Sequence, residues 1–171
     1  MTSTVTLRVC RANYADPVHA QALVALLDAY ACDPMGGGEP LSAFARSNLV
    51  QALADRPQAF SVLAFDDLSR ASEPQAVGLV NCIEGFSTFA CQPLVNVHDV
   101  AVMPSYRGQG IGEKMLQLVE RIARERGACK LTLEVLQGNA GAARLYERIG
   151  FAPYQLDPSQ GWAQFMQKWL T

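Results

Sequence analysis

A valine-rich strand that leads directly into a glycine loop and a helix is the feature that most constrains this chain. The strand is predicted over 94–103, and the loop that follows it contains Gly108, Gly110 and Gly112. Apolar residues then recur at helical spacing over 111–126. Glycines permit positive φ and expose backbone N–H groups, and a helix N-terminus carries a partial positive charge. The segment therefore predicts a site for an anionic group such as a pyrophosphate.

The spacing of these glycines separates the known kinds of phosphate-binding loop. A P-loop needs G-x-x-x-x-G-K-[ST], and Glu113 stands where its second glycine would be. A dinucleotide fingerprint needs G-x-G-x-x-G, and the third glycine here comes one residue early, at Gly112. Glu134 favours the dinucleotide interpretation, because it ends a later predicted strand near the distance of a ribose-binding acid. On this segment alone, a dinucleotide site and a purely structural glycine connection both remain open.

Two motifs resemble those of one protein family. The run R-x-x-G-x-G that begins at Arg107 is similar to the pyrophosphate loop of the GNAT superfamily of acyl-CoA N-acyltransferases. The run N-x-x-A-x-x-x-Y-x-x-x-G-F that begins at Asn139 resembles the superfamily's later helix, whose Asn and Tyr meet the cofactor. Because the motifs are independent and stand in the right order, the chain is identified as a member of this superfamily by resemblance.

The resemblance implies that acetyl-CoA, the acetylated form of coenzyme A, is the acyl donor. In the superfamily the fourth and fifth strands splay apart, and the pantetheine arm pairs with the backbone of the fourth strand. The residues that this implies as cofactor-binding are Val100, Ala101, Val102, Arg107, Gly108, Gln109, Gly110, Ile111, Gly112, Asn139, Ala142 and Tyr146. Tyr146 is also implied to protonate the departing sulfur, which makes it a predicted catalytic residue. The alternatives are that Tyr146 packs as an ordinary helix residue and that Asn139 is an N-cap by residue type.

Acyl transfer to nitrogen requires that an amine lose a proton, attack the thioester and release a thiolate. His98 is the second predicted catalytic residue, because a histidine titrates near ~6.5 and could relay the amine proton through water. A hydrogen-bonded strand histidine is the alternative. Asp99 is expected on the opposite face of the strand, since side chains alternate. The residues predicted to bind the acceptor amine are Tyr30, Asp33, Glu84, Asp99 and Glu134.

The order of predicted elements agrees with the fold that the resemblance implies. Strands are predicted over 5–11, 60–65, 75–83, 94–103, 131–135, 151–154 and 163–170, with a first helix from Pro17 and others over 42–54, 111–126 and 139–149. The side chains expected to face the core from the second helix are Phe44, Leu49, Val50 and Leu53. The prediction is an α/β (α+β) GNAT fold in one domain over 1–171, with a mixed, mostly antiparallel sheet of six to seven strands. Its central parallel strands are splayed, and about four helices accompany them.

The composition narrows the classes of function. A formal net charge of −2 with 18% charged residues gives no electrostatic case for binding nucleic acid or an anionic membrane. No apolar run approaches the ~20 residues of a membrane span, and the N-terminus lacks a signal-peptide pattern. The five cysteines are odd in number and widely spaced, so they are expected to be reduced and mostly buried. A cytoplasmic protein without a metal site is therefore expected.

A narrower resemblance is to the diamine and polyamine N-acetyltransferases of the spermidine/spermine type. The matching positions are Val77-Gly78-Leu79, 86–89, His98-Asp99, Met103, Tyr106-Arg107-Gly108 and Gly161-Trp162. The chain departs from that group at His98, where the group has a glutamate, and at Phe151. The resemblance implies direct transfer, in a ternary complex, to a small primary amine such as a polyamine, a diamine or an amino acid.

The same group implies a homodimer. The apolar residues expected to be available to the partner are Trp162, Phe165, Met166 and Trp169. Two alternatives to the acetyltransferase remain: a non-catalytic module that binds acetyl-CoA, and a nucleotide-binding oxidoreductase.

Overall fold

The computed structural model of the chain describes residues 6–67, 74–154, 157, 159, 161 and 163–170. The chain divides into two compact units, of which one ends at Leu136 and the other begins at Gln137. The single domain over 1–171 stays a prediction. Within the described ranges, no helix is both long enough and apolar enough to cross a membrane.

A mixed sheet forms the centre of the first unit. Its strands, in spatial order, are β1 (Leu7–Arg11), β2 (Ala59–Asp66), β3 (Gln75–Ser87), β4 (Gln92–Val102) and β5 (Leu131–Leu133). The helices of this unit are α1 (Pro17–Ala31), α2 (Ala43–Ala54) and α3 (Ile111–Glu125), and the second unit contains α4 (Ala140–Arg148). Neighbouring strands pair antiparallel except β4 and β5, which are parallel because α3 crosses between them. This confirms the predicted fold class and contradicts the doubly wound, mostly parallel sheet of a dinucleotide-binding domain.

Helices α1 and α2 cover one face of the sheet. Asp16 caps α1 by accepting a hydrogen bond from Val18 N at 2.8 Å, and Pro17 occupies the first helical turn, as predicted. The buried side chains of this face are Ala22, Leu23, Leu26, Leu63, Phe65, Leu79 and Ala101. Leu49 and Val50 of α2 pack against them, so this layer holds both helices on the sheet.

Helix α3 covers the opposite face. Gly78 and Leu79 are neighbours on β3, so their Cα substituents point to opposite faces of the sheet. Leu79 lies in the α1 layer, whereas a Cβ on Gly78 would come within 2.8 Å of Met115 Cε on α3. A glycine at position 78 therefore allows α3 to approach the sheet closely.

The prediction that Phe44 faces the core is wrong, because its side chain is 77% exposed. Leu49, Val50 and Leu53 pack against the core as predicted. A helix turns by about 100° per residue, which places Phe44 roughly 140° from Leu49 and about 180° from Leu53. Phe44 therefore lies on the side of α2 that faces away from the sheet.

The predicted strand count is also corrected, because the sheet has five strands among the described residues. Residues 151–154 and 163–170 form no strand there, and Phe165, Met166 and Trp169 are 75%, 83% and 82% exposed. An alternating apolar pattern gives a strand only where a neighbouring strand takes the backbone hydrogen bonds and a core takes one face. Among the described residues, 163–170 has neither a neighbouring strand nor a core against one face.

The cysteines are free thiols, as predicted, but they are not mostly buried. Cys82 is buried and Cys10 is half-buried, whereas Cys32, Cys91 and Cys129 are exposed. Burial raises the pKa of the Cys82 thiol, so this side chain stays protonated in the core.

Candidate active site

The central feature of the site is the place where β4 and β5 separate. Their parallel pairing covers three positions and ends with Val97 opposite Leu133. Strand β4 continues for five more residues to Val102, with β3 on one side and, within the described residues, no strand on the other. The predicted splay of the central strands is therefore confirmed, and residues 98–102 form an open backbone edge.

A β-bulge lies at the start of this open edge. Asp99 pairs with Asn81 on β3, whereas Val97 pairs with Cys82, so His98 is an extra residue in β4. A bulge of this kind bends its strand and is common beside active sites. The bulge thus coincides with the end of the β4–β5 pairing and turns the rest of β4 away from β5.

The bulge also decides which backbone groups reach the open edge. Met103 N donates to Val77 O of β3 at 2.9 Å, so Met103 and, by alternation, Ala101 direct their backbone groups toward β3. Val100 and Val102 therefore present their N–H and C=O groups to the open edge. Ala101, the third strand residue predicted to bind the cofactor, contributes a buried side chain to the core, and its contact with the cofactor stays a prediction.

The expectation that His98 and Asp99 point to opposite faces is wrong because of the bulge. Asn96 pairs with Ile83, and Asp99 pairs with Asn81, which lies two residues away on β3 and so on the same face. His98 Nδ1 lies 3.3 Å from Asn96 Oδ1, on that same face. This face is the α1 side of the sheet, because Leu79 lies on it two residues from Asn81. His98 is exposed there and Asp99 is half-buried.

The glycine loop forms the N-terminus of α3, as the sequence predicts. Gly108 and Gly110 have φ of 77° and 76°, and Gly110 is the N-cap residue of the helix. Ile111 and Gly112 follow it, and their N–H groups point out of the first turn because a helix offers them no partner. A Cβ at Gly108 or Gly110 would meet no atom within 4 Å among the described residues. No described atom therefore crowds the loop at these two positions.

Side-chain hydrogen bonds hold the loop in place. A short 3₁₀ turn (Pro104–Tyr106) connects β4 to the loop. Tyr106 Oη lies 3.2 Å from Asp66 Oδ2 and 3.1 Å from Gln75 Oε1, and donation of its one hydrogen to either acceptor ties the turn to β2 or β3. Gln109 Nε2 donates to Ser105 O at 3.2 Å. The backbone amides are therefore oriented before any ligand binds.

Arg107 connects the open edge, the loop and the end of α1. Its Nε donates to Val102 O at 3.0 Å, and its Nη2 donates to Asp33 Oδ2 at 2.9 Å. Met35 N donates to the other Asp33 oxygen at 2.9 Å. A residue predicted to bind the cofactor and one predicted to bind the acceptor therefore form an ion pair.

A small pocket of about 40 Å³ lies beside this ion pair. Its lining residues are Leu26, Ala29, Tyr30, Asp33, Ala101, Val102, Met103, Pro104 and Arg107. Burial raises the pKa of Tyr30, and the negative charges of Asp99 and Asp33 raise it further. The Tyr30 hydroxyl therefore stays a hydrogen-bond donor, in a pocket with a carboxylate at its wall.

Glu84 and Glu134, the other two acids predicted to bind the acceptor, lie apart from this pocket's lining. Glu84 Oε2 accepts a hydrogen bond from Arg126 Nη1 at 2.9 Å, next to the C-terminus of α3. Glu134 is exposed and follows Leu133, the last residue of β5, at the point where the two parallel strands separate. Contact of either acid with the acceptor stays a prediction.

Helix α4 of the second unit carries the later motif. Asn139 is its N-cap, and Asn139 Oδ1 accepts a hydrogen bond from Ala142 N at 3.2 Å, as its residue type predicts. Tyr146 is 8% exposed, and its ring contacts Phe151 edge to face at 5.9 Å between centroids. Phe151 N donates to Tyr146 O at 2.9 Å, so the G-F end of the motif closes the helix against its own tyrosine.

Two buried polar residues on the α1 face were not among the predicted site residues. Ser61 and Asn81 are 1% and 4% exposed, in the middle of β2 and β3 on the α1 face. Asn81 contacts Asp99. A polar residue inside an otherwise apolar strand was the available signal, because burial of such a group requires a hydrogen-bond partner.

The ion pair at Arg107 gives a testable pH dependence. The Arg107 guanidinium and, to a smaller extent, Met35 N hold the pKa of Asp33 below its ordinary value of 3.8. The pair therefore contributes stability that is present above pH 3.8 and is lost as the pH falls through the lowered pKa. Replacement of Arg107→Met should raise the Asp33 pKa toward 3.8, measured by NMR titration of the side-chain carboxyl carbon.

Arg124→Met is the matched control, since it removes the Arg124–Glu120 pair of α3 and should leave the Asp33 titration unchanged. An Asp33 carboxyl that titrates identically in the wild type and in Arg107→Met would contradict the pairing.

Comparison with known proteins decides the family. Residues 23–151 match the acetyltransferase (GNAT) family, and this stretch contains the glycine loop and the Asn139 helix. It covers about three quarters of the 171 residues. The chain belongs to the GNAT family. The membership predicted from two motifs is confirmed, and the oxidoreductase alternative is wrong.

Several curated relatives of this GNAT protein have been named for their acceptors. The chain is 41% identical over 71 residues to thialysine N-epsilon-acetyltransferase of Mus musculus, which is 42% of this chain and 41% of that protein. It is 40% identical over 85 residues to streptothricin acetyltransferase of Streptomyces lavendulae, covering 48% and 45%. The Bos taurus thialysine N-epsilon-acetyltransferase is 32% identical, with 62% of each chain covered. The chain thus spans 41–62% of the length of these relatives.

Solved structures support the fold of this GNAT protein. A probable acetyltransferase superposes with a TM-score of 0.76 at 21% identity, covering 96% of this chain and 99% of the other. An aminoglycoside acetyltransferase from an uncultured soil metagenomic sample, in complex with trehalose, gives a TM-score of 0.73 at 18% identity, covering 96% and 97%. At this identity the likeness concerns the fold alone.

Proposed function

We propose that this GNAT protein is an N-acetyltransferase that moves an acetyl group from acetyl-CoA to a primary amine. The observation that carries the proposal is the continuity of the open edge of β4 with the glycine loop at the N-terminus of α3. An extended acyl carrier with an anionic end can follow the edge to the loop. Family membership supports the same reaction.

The residues of the first unit fit such a carrier at two places. Val100 and Val102 offer backbone groups that can pair with an amide-containing arm, as a neighbouring strand would. The loop from Gly108 to Gly112 offers backbone amides at a helix N-terminus to a pyrophosphate. Arg107 lies between the two and supplies a positive charge. Arg107 Nε already donates to Val102 O, so a ligand along the edge either shares this carbonyl or takes the place of the guanidinium there.

The proposed chemistry needs one proton acceptor and one proton donor. Acetyl-CoA supplies the acetyl group as a thioester; the amine nitrogen bonds to the carbonyl carbon as the carbon–sulfur bond breaks. The amine gives up a proton and the sulfur takes one up, so no net oxidation occurs. We assign the proton acceptor to the exposed His98 imidazole, acting through water, and, by resemblance, the proton donor to the Tyr146 hydroxyl. Asn139 and Ala142 are proposed to hold the cofactor from α4.

A small cationic amine is the proposed acceptor, with a polyamine, a diamine or an amino acid as the candidates. Support comes from Asp99, a carboxylate on the α1 side of the sheet, two residues from the pocket residue Ala101 on the same face of β4. Asp33 also lines the pocket, where its charge is compensated by Arg107. Oppositely charged groups at a partly buried site favour a cation over a neutral ligand. Two relatives are named for amine acceptors, thialysine and streptothricin, which supports an amine as the acceptor here.

Consumption of acetyl-CoA in the presence of an amine panel tests this function. The panel contains polyamines, diamines, amino acids, aminoglycosides and peptides, and the release of free thiol reports transfer. Turnover with at least one small cationic amine is expected. Binding of acetyl-CoA without turnover of any amine would favour the alternative of a non-catalytic module.

We also propose that the protein is a homodimer. Phe165, Met166, Trp169 and Leu170 are between 75% and 91% exposed, a cluster of large apolar side chains that is costly to leave in water. Trp162, which was also predicted to be available to the partner, lies outside the described residues. A dimer is expected in sedimentation velocity at micromolar concentration, and Trp169→Glu should shift it toward monomer. A wild-type protein that sediments as a monomer would dispose of this proposal.

A further inference from the structure

A continuous chain of side-chain hydrogen bonds crosses the α1 face of the sheet. It begins at Tyr14, before α1, whose Oη lies 2.9 Å from Ser61 Oγ on β2. Ser61 Oγ donates to Asn81 Oδ1 on β3 at 2.6 Å, and Asn81 Nδ2 donates to Asp99 Oδ2 on β4 at 3.0 Å. The chain therefore ends at the residue that follows the bulge, on the open edge of β4.

The direction of the hydrogen bonds is determined by the number of protons available. The Ser61 hydroxyl carries one hydrogen, which it donates to Asn81, so at its other contact it accepts from Tyr14. Burial raises the pKa of Tyr14, which keeps its hydroxyl protonated. Because Asn81 Oδ1 is occupied by Ser61, the amide presents its NH₂ group to Asp99. All the donors in the chain thus point toward the carboxylate.

The two polar side chains Ser61 and Asn81 lie in an otherwise apolar part of the core. Leu63 and Leu79, which lie two residues from Ser61 and Asn81 on the same face, are fully buried and apolar. An apolar pair at 61 and 81 would continue that core and would need no hydrogen bonds. Asn81 instead donates a hydrogen bond to the half-buried Asp99, and Ser61 reaches Asp99 through Asn81. Core packing therefore does not explain these two residues, whereas a role at Asp99 does.

We propose that Tyr14, Ser61 and Asn81 are positioning residues, which hold the Asp99 carboxylate toward the cationic acceptor amine. The proposal rests on the acetyltransferase function proposed above. Ala101 lines the small pocket beside the Arg107–Asp33 pair, and Asp99 lies two residues before Ala101 on the same face of β4, next to that pocket. A carboxylate held by a buried amide donor keeps one orientation, and the ammonium group of the acceptor then meets a preorganised partner.

A double-mutant cycle between Asn81 and Asp99 tests the proposal. Asn81→Leu keeps the branching and the number of side-chain heavy atoms but removes the donor. For the best amine of the panel, kcat/KM should fall by about 10- to 100-fold, the range for a hydrogen bond to a charged group. The loss should appear mainly as a higher KM for the amine, with the KM for acetyl-CoA unchanged. In the Asp99→Asn background the same substitution should cost less than about twofold, because no carboxylate is left to orient.

Further variants keep the test independent of folding. Ser61→Ala and Tyr14→Phe remove earlier donors in the chain, and their losses in kcat/KM should decrease with distance from Asp99. Ser61→Ala carries the cycle if Asn81→Leu does not fold. Val62→Ala is the matched control, since Val62 is fully buried beside Ser61 but points to the other face. It should lower the melting temperature and leave the KM for the amine unchanged.

The outcomes separate this proposal from the function on which it rests. Wild-type protein that acetylates no amine overturns both. Wild-type protein that acetylates an amine, with equal losses from Asn81→Leu in the wild-type and Asp99→Asn backgrounds, overturns the positioning role alone. A loss of amine affinity that vanishes when Asp99 is replaced supports it.

Discussion

Tyr146→Phe should lower turnover of the best amine by roughly 10²–10⁴, the usual range for one positioned acid. The substitution removes a hydroxyl and almost no volume, so the 8% exposed ring and its edge contact with Phe151 should remain. The loss should therefore appear in kcat, while the KM values and the melting temperature change little. Steady-state kinetics with varied amine and acetyl-CoA, together with thermal unfolding, measure both sides of this expectation.

Tyr154→Phe provides the control for Tyr146→Phe. Tyr154 lies in the same unit but is 64% exposed, and loss of its hydroxyl should leave kcat unchanged. Near-wild-type turnover of Tyr146→Phe would mean that water or another group protonates the sulfur. His98 would then be the next residue to replace.

Gly110→Val should raise the dissociation constant for acetyl-CoA by about 100-fold or more. Gly110 is the N-cap residue of α3, directly before the amides of the first turn, and its added Cβ would meet no described protein atom within 4 Å. The new side chain is therefore expected to compete with an anion for the space at these amides. Loss of several hydrogen bonds to a charged group, each of about 1.5–3 kcal/mol, accounts for an effect of this size. Isothermal titration calorimetry with acetyl-CoA measures it directly.

Gly127→Val separates the blocked amides from backbone strain. Gly127 follows α3 at its other end, has φ of 74°, and its added Cβ also meets no described atom within 4 Å. Both substitutions force a side chain into the left-handed region and should cost about 1–2 kcal/mol of stability. Only Gly110→Val should weaken acetyl-CoA binding. An unchanged affinity in folded Gly110→Val would remove the glycine loop from the proposed site.

Local signals in the sequence account for the parts of the fold that were predicted correctly. Asp16 and Pro17 begin α1, and Gly110 and Gly127 flank α3. These signals are local because caps and positive φ depend on the residue itself and its close neighbours. The parallel pairing of β4 with β5 was equally accessible, since a helix between two strands forces it. These features position the glycine loop at the end of β4, which is why the loop and the family could be predicted together.

The errors arose where the outcome depends on partners distant in the sequence. Nothing local in 163–170 shows that its apolar residues stay exposed, because a strand needs a neighbour to pair with. The same holds for Phe44, whose place on the outer side of α2 follows from which side of the helix meets the sheet.

What the sequence alone determined about this protein is its family, its loop and its order of elements, because local chemistry and two motifs specify them. Only the tertiary structure decided how the site is assembled. His98 is an extra residue in β4, as the pairing of β4 with β3 shows. This bulge places Val100 and Val102 at the open edge. Arg107 meets Asp33 across 74 residues of sequence. Asp99 is held through Asn81 and Ser61 on two other strands, since only the folded sheet brings those side chains within hydrogen-bonding distance.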